Sequence, residues 1–338
     1  MCGHLKDQGC RKHEKLVEII VVNKIYILEV IILIYKKQHY IPQSYLESWC
    51  DPETPEGYDK YVWMFDYNGE TVKRRNPKNI FYESDMYTIF DEQGSRVLNL
   101  EHGLSGLEEK FAVIRSRKIS KHLKITLEER YYILAFVAAL HNRTVSIKEH
   151  MSNQWGKVLE LGRKLQQEYE KASPEYKKSM ESIGQLNKEG KSFSMDEIEK
   201  FHLKPLQTQM IPRINAEVNC YMKMHMTILN TADEVGFITS DNPCVWFDPK
   251  AYLRPPMYRS VGLGYQSVEV TLPISPRQAI LISHTELPQY IQAPISSVDS
   301  INRKTRFSAD KYFIVNKNYK KEYWFEVLEP PKDGYDSE

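Results

Sequence analysis

A handful of charged and polar side chains sit where packing alone gives them no obvious task. Asp241 lies in Ser240-Asp241-Asn242-Pro243, between the apolar segments Phe237-Ile238 and Val245-Trp246-Phe247. His141 and Arg143 follow the apolar run Tyr131 to Leu140. Glu101 and Glu108 are two turns apart on a helical pattern, at the border of its apolar stripe. His39 precedes Tyr40 and a short helix signal. Carboxylates hold hard cations, a guanidinium clamps a phosphate, and an imidazole moves protons near neutral pH. Together these types match phosphodiester hydrolysis of nucleic acid or a nucleotide. Glu108 and Asp241 would hold Mg²⁺ or Mn²⁺, Arg143 would bind the phosphate, and His39 or His141 would act as general base or acid.

Each residue also has a plain structural reading. Asp and Asn hydrogen-bond their own backbone and Pro fixes a turn, so Ser-Asp-Asn-Pro can be a turn and nothing more. His141 shares a face with Leu134, Ala138 and Val145, as a core histidine would. A buried Arg143 needs a carboxylate, with Glu108 or Asp241 the first choices. The competing function is therefore a non-catalytic interaction or sensing module, with the same residues locked in a buried polar network. The enzyme reading is placed ahead because ionisable types recur at separate points of the chain.

The elements that must position these residues follow from the apolar periodicity. Pro42 opens a short helix on which Tyr45, Leu46 and Trp49 share a face. Asn68-Gly69 splits an alternating segment into a hairpin. Leu104, Leu107, Phe111 and Ile114 form one helical stripe. Thr126 and Glu129 make a capping box ahead of Tyr131 to Leu140, which is apolar all round and so predicts a central, enclosed helix. With Val145 after Arg143-Thr144, that helix is expected to run on unkinked to about Lys171. Ser194 and Glu197 repeat the capping box, and the polar stretch Gly184 to Ser194 reads as a loop. From Met224 the period switches to strands, read as a meander with turns at Ala232-Asp233 and Pro276-Arg277. A late helix carries Asn302, and the end is a strand and an acidic tail. Strands, then helices, then strands predict an α+β fold.

Composition narrows the classes. The 338 residues include 22 Tyr, 12 Phe and 5 Trp, too aromatic for a disordered chain. The formal net charge of +1 gives no global basic footprint, so nucleic acid would need a local groove. Five scattered cysteines without a CxxC pair signal neither a zinc ribbon nor disulfides, and a reducing cytoplasm is expected. Walker, GxGxxG, HExxH and GxSxG motifs are missing from the sequence. Residues 16–35 are long enough to span a bilayer, but Glu18, Lys24 and Glu29 each cost about 2.5 to 3.5 kcal/mol near its centre. The sum goes against insertion. Three readings stay open: an amphipathic or buried extension, a poor membrane anchor, or leader sequence ahead of a later start.

Four landmarks now fall in order: His39-Tyr40-Ile41-Pro42 with Leu46; Phe81-Tyr82 followed by a helix with Glu101 and Glu108; His141-Asn142-Arg143-Thr144; and Phe237-Ile238-Thr239-Ser240-Asp241-Asn242-Pro243, followed by Leu272-Pro273-Ile274-Ser275-Pro276 and Asn302. This order resembles a bacterial family known only as domain of unknown function 4238, over about residues 38–316. The resemblance implies shared polar positions, with Ser240, Asn242 and Asn302 beside the five named above, and no settled activity. It divides the chain into an apolar extension 1–37, one α+β domain 38–316, and a C-terminal strand and acidic tail 317–338. A lesser pattern, Arg143 with His150 as R-x6-H on one helix face, resembles the ribonuclease motif of the HEPN superfamily.

Overall fold

The computed structural model describes residues 37–186 and 193–327. The apolar stretch 16–35, most of the loop Gly184 to Ser194 and the acidic tail lie outside the described residues. Among the described residues the fold is α+β, with no helix long and apolar enough to cross a membrane.

The N-terminal part is strand-rich: β1 (Lys37–His39), β2 (Val62–Asp66), β3 (Val72–Arg75), β4 (Tyr82–Ser84), β5 (Ile89–Phe90) and β6 (Arg96–Val97). One short helix, α1 (Gln43–Leu46), follows β1. The expected hairpin joins β2 and β3, and Gly69 takes φ +71 in its turn. Asp66 fixes that turn by accepting from the amides of Glu70 and Thr71. Tyr45 and Trp49 are buried as expected, and their polar tips find backbone partners: the Tyr45 hydroxyl donates to the Pro273 carbonyl at 2.6 Å, and Trp49 Nε1 to the Phe237 carbonyl at 2.9 Å. These bonds pin α1 to the far end of the chain.

Six helices fill the middle: α2 (Asn99–Arg117), α3 (Leu127–Asn142), α4 (Val145–Lys171), α5 (Pro174–Leu186), α6 (Met195–Leu203) and α7 (Pro205–Tyr221). The Thr126 capping box forms, and every residue from Ile133 to Leu140 is buried. Phe136 stacks on Phe111 of α2 with ring centroids 3.8 Å apart. The expectation that α3 continues to Lys171 is overturned. It ends at Asn142, Arg143 leaves helical geometry at φ −108, ψ 4, and Thr144 caps a new helix by accepting from the Ile147 amide. A threonine hydroxyl placed after an orphan-rich helix end restarts a helix without any proline. Arg143 and buried Thr144 thus occupy a corner between two helices.

The C-terminal part contains β7 (His225–Asn230), β8 (Thr239–Ser240), β9 (Val245–Phe247), β10 (Glu269–Ser275), β11 (Gln278–Ser283), β12 (Tyr290–Gln292), α8 (Ile295–Ser308) and β13 (Tyr312–Val315). The expected single meander is also corrected. A five-stranded sheet runs β12-β7-β11-β10-β9, while β8 joins a four-stranded sheet, β3-β2-β13-β8. Ser240-Asp241-Asn242-Pro243 is therefore the crossing between two sheets. Gly236, just before it, has φ +75, and a Cβ there would lie 1.8 Å from the Pro276 carbonyl oxygen, so only glycine fits. Among the described residues the last strand is β13, which ends ahead of residue 317; the described part of 317–338 holds one 3₁₀ turn, Glu322–Phe325. Pairing of β13 with β2 ties the two ends of the described chain together.

Candidate functional site

The strand β1, the helices α1 and α2 and the α3–α4 corner enclose a cleft of about 340 Å³. His39, Gln43, Tyr87, Glu101, Glu108 and Arg143 are among its lining residues. Each is placed by the local structure around it. His39 ends β1, where the chain turns into α1. Gln43, the first residue of α1, brings its amide nitrogen 3.3 Å from His39 Nε2, and His39 Nε2 also lies 3.3 Å from the Lys78 carbonyl. Glu101 and Glu108 lie two turns apart on α2, flanking buried Leu104. Arg143 enters from the α3–α4 corner.

Arg143 is 2% exposed. Its Nη1 donates to Glu108 Oε1 at 2.6 Å and its Nε to the Tyr40 carbonyl at 2.8 Å. The expected carboxylate partner is thus Glu108. Its Nη2 is buried and has no hydrogen-bond partner. The Tyr87 hydroxyl lies 3.4 Å from the Arg143 carbonyl, closing the corner from the other side.

Two groups in the cleft are shifted in opposite directions. Burial pushes the His39 imidazole below its usual value, so it is held neutral. Burial pushes the Glu101 carboxyl up; Arg143 opposes the shift and Glu108 adds to it. Arg143 is disfavoured by burial, but Glu108 outweighs that and keeps it firmly charged. The cleft therefore holds a neutral base, a carboxyl that retains its proton more strongly than usual, and a guanidinium with one unpartnered nitrogen.

Of the residues singled out from the sequence, His39, Glu108 and Arg143 meet here. Four others do not. His141 points elsewhere: its Nδ1 lies 3.1 Å from both carboxylate oxygens of Glu217, and its ring stacks on Trp246 at 4.5 Å. Asp241 is 2% exposed and spends its carboxylate on backbone: Oδ1 accepts from the Asp310 amide at 2.8 Å, and Oδ2 from those of Lys311 and Tyr312 at 2.8 and 3.0 Å. Burial pushes it up to about 6 against the pull of those amides. Asn242 donates to the Ser308 carbonyl, and the Ser240 hydroxyl accepts from the Asn242 amide. Asn302, fully buried, bridges the Gly236 carbonyl and the Ile238 amide.

The Glu108 and Asp241 pair assigned to a divalent cation does not share a site, since each carboxylate is committed to a different partner. Among the described residues no group of three or more His, Cys, Asp or Glu side chains is placed to hold a metal ion. His150 is exposed on α4, while Arg143 is buried before that helix begins, so the R-x6-H pair does not share a helix face.

Sequence reasoning passed over Gln43, Tyr87 and Glu217, and singled out Glu101 without giving it a catalytic role. Gln43 had a usable signal, four residues after His39 across a helix start. Glu217 had none: its partner is 76 residues away.

A family model described as a protein of unknown function, DUF4238, matches residues 37–318. Comparison with curated proteins and with solved structures gives no match.

Proposed function

We propose that this chain, which belongs to the family of proteins of unknown function DUF4238, hydrolyses phosphodiesters of a nucleic acid or nucleotide by general acid–base catalysis in the His39 cleft. The observation that carries this reading is the unpartnered Nη2 of buried Arg143, in a cleft also lined by His39 and Glu101. A buried donor without an acceptor costs about 1–3 kcal/mol, which an arriving oxyanion would relieve. Arg143 then donates to a non-bridging phosphate oxygen. Neutral His39 takes a proton from the attacking water as its oxygen bonds to phosphorus. Protonated Glu101 gives its proton to the leaving ester oxygen as the P–O bond breaks. Proton exchange with solvent restores both groups. Glu108 positions Arg143 and has no part in the proton transfers.

Several coarser points support this reading. The pairing of β2 with β13 favours residues 38–316 acting as one domain. Cys50, Cys220 and Cys244 are free thiols, which suits the reducing cytoplasm expected for it.

The test is hydrolysis of bis(p-nitrophenyl) phosphate and of single-stranded RNA and DNA, in the presence of EDTA. Turnover that persists in EDTA and falls by about 10²- to 10⁴-fold in His39→Gln supports the proposal. Turnover only with added Mg²⁺ or Mn²⁺ would restore the metal-dependent route, and equal turnover in His39→Gln would end the acid–base reading.

A second reading has its own observation. Arg143 is held in place by Glu108 and the Tyr40 carbonyl, as in a module that binds an oxyanion and senses it. Phosphate binding by calorimetry without any turnover would select that module.

A further inference from the structure

The five-stranded sheet has two unlike faces. Val270, Leu272, Ile280 and Ile282 enter the main core. On the opposite face Leu229 packs under α8, while Leu281 and Ile291 are only partly covered. A cleft of about 410 Å³ remains between α8 and this face, away from the His39 cleft.

Independent features point into it. Thr271 is 1% exposed, lines the cleft, and its Oγ1 has no hydrogen-bond partner. Its position on β10 alternates with core-facing Val270 and Leu272, so the hydroxyl belongs to the cleft side. The helix α8 begins after Pro294 with no side chain capping its first turn, and Ser297 and Ser300 line the cleft along its flank. Such a start is a weak positive pole. Lys304 closes the other end, its ammonium 3.3 Å from Glu269 and 3.9 Å from the centre of the Phe247 ring. Donors outnumber acceptors: the hydroxyls and the ammonium face one carboxylate.

We infer that this cleft binds a small monocarboxylate with an apolar body. The carboxylate accepts from Thr271, from the serines of α8 and from Lys304, and the body lies on Leu229, Leu281 and Ile301. A dianionic phosphate fits poorly, because Glu269 already shares the one ammonium and the sheet floor adds only the neutral Thr271 hydroxyl as a donor. The volume lies within the usual range for small-molecule sites. A larger cleft of about 660 Å³ adjoins and shares Glu269, Leu281 and Leu287, so a longer apolar tail has room to continue.

Calorimetric titration of the full chain with hexanoate, hexanamide and inorganic phosphate tests this. Hexanoate should bind, with hexanamide about tenfold weaker or worse and phosphate failing to compete. Thr271→Val keeps the side-chain shape without the hydroxyl and should weaken hexanoate by about tenfold. Its melting temperature should not fall, since the orphan group is gone. Should that variant unfold, Ser300→Ala at the half-buried rim gives the same reading. Hexanamide binding as well as hexanoate, unchanged affinity in both variants, no hexanoate binding, or displacement of hexanoate by phosphate would each overturn the inference.

Discussion

The sheet crossing at Asp241 and the cleft at Arg143 both bury an ionisable group, and they do so in opposite ways. At the crossing both Asp241 oxygens are met by the backbone that leads into β13. Nothing is left over for a ligand. In the cleft, Arg143 has partners for two of its three nitrogens and keeps the third, Nη2, spare beside a neutral imidazole and a raised carboxyl. The more conspicuous motif in the sequence is thus tied into the backbone, and the less conspicuous one is where the proposed chemistry lies. A polar group marks a site when the fold leaves it incomplete, whatever its prominence along the chain.

The widest gap between the regions should appear on removing the buried cation. Arg143→Ala strips Glu108 and the Tyr40 carbonyl of their partner at once. Breaking a buried pair costs about 3–5 kcal/mol, and the 24% exposure of the Glu108 side chain puts this case at the lower end. Denaturant unfolding measures it. A loss under about 1 kcal/mol would show that Arg143 is no structural partner. Next comes Asp241→Ala, which leaves three amides at the start of β13 without their acceptor. The expected loss is about 1–3 kcal/mol, with the cleft's affinity for phosphate unchanged. A fall in that affinity at constant stability would break the division between the regions.

Asp241→Asn separates shape from charge at the same place. The carboxyl titrates near 6 in the fold against 3.8 as the unperturbed value, so folding takes up a proton between them. Its contribution is therefore greatest below pH 4 and falls as pH rises through 6, by roughly 3 kcal/mol in all. Asparagine is neutral throughout. The difference in stability between wild type and Asp241→Asn should shift in the variant's favour across that window, leaving the two within about 1 kcal/mol at pH 7. A pH-independent difference would mean that the three amides hold the charge without penalty.

What the sequence made legible follows the range of the forces involved. The capping box and the Asn68-Gly69 hairpin are set by neighbours a few residues apart and appear as expected; of the run Tyr131 to Leu140 expected to be enclosed, Ile133 to Leu140 is buried while Tyr131 is 46% exposed. The switch of β8 to the other sheet was not legible, because strand periodicity gives the face of a strand and not its partner. The break at Arg143-Thr144 was missed because the missing proline was given more weight than the threonine cap. In the site, Arg143 with Glu108 could be proposed, since a buried guanidinium demands a carboxylate. The position of Glu101 could not, because its carboxyl is pushed up by burial under distant segments and by Glu108, against the pull of Arg143.

Glu101→Gln carries the smallest expected change in stability and tests the cleft most directly. Burial disfavours the Glu101 charge, so a neutral isostere should leave stability within about 1 kcal/mol of wild type. Catalysis should nevertheless fall by about 10²- to 10⁴-fold, the usual worth of a general acid. In wild type the rate should drop with rising pH as Glu101, titrating above its ordinary 4.5, loses the proton it must donate. It should also drop with falling pH as His39, titrating below 6.5, gains a proton and ceases to be a base. Glu101→Gln should lose the alkaline limb and keep the acid limb, and His39→Gln the reverse. If the cleft only binds, the same logic holds for phosphate affinity: it weakens in wild type as Glu101 ionises, and the variant is flat over that range. A Glu101→Gln protein that keeps both limbs would leave Arg143 as a structural cation, no different in kind from Asp241.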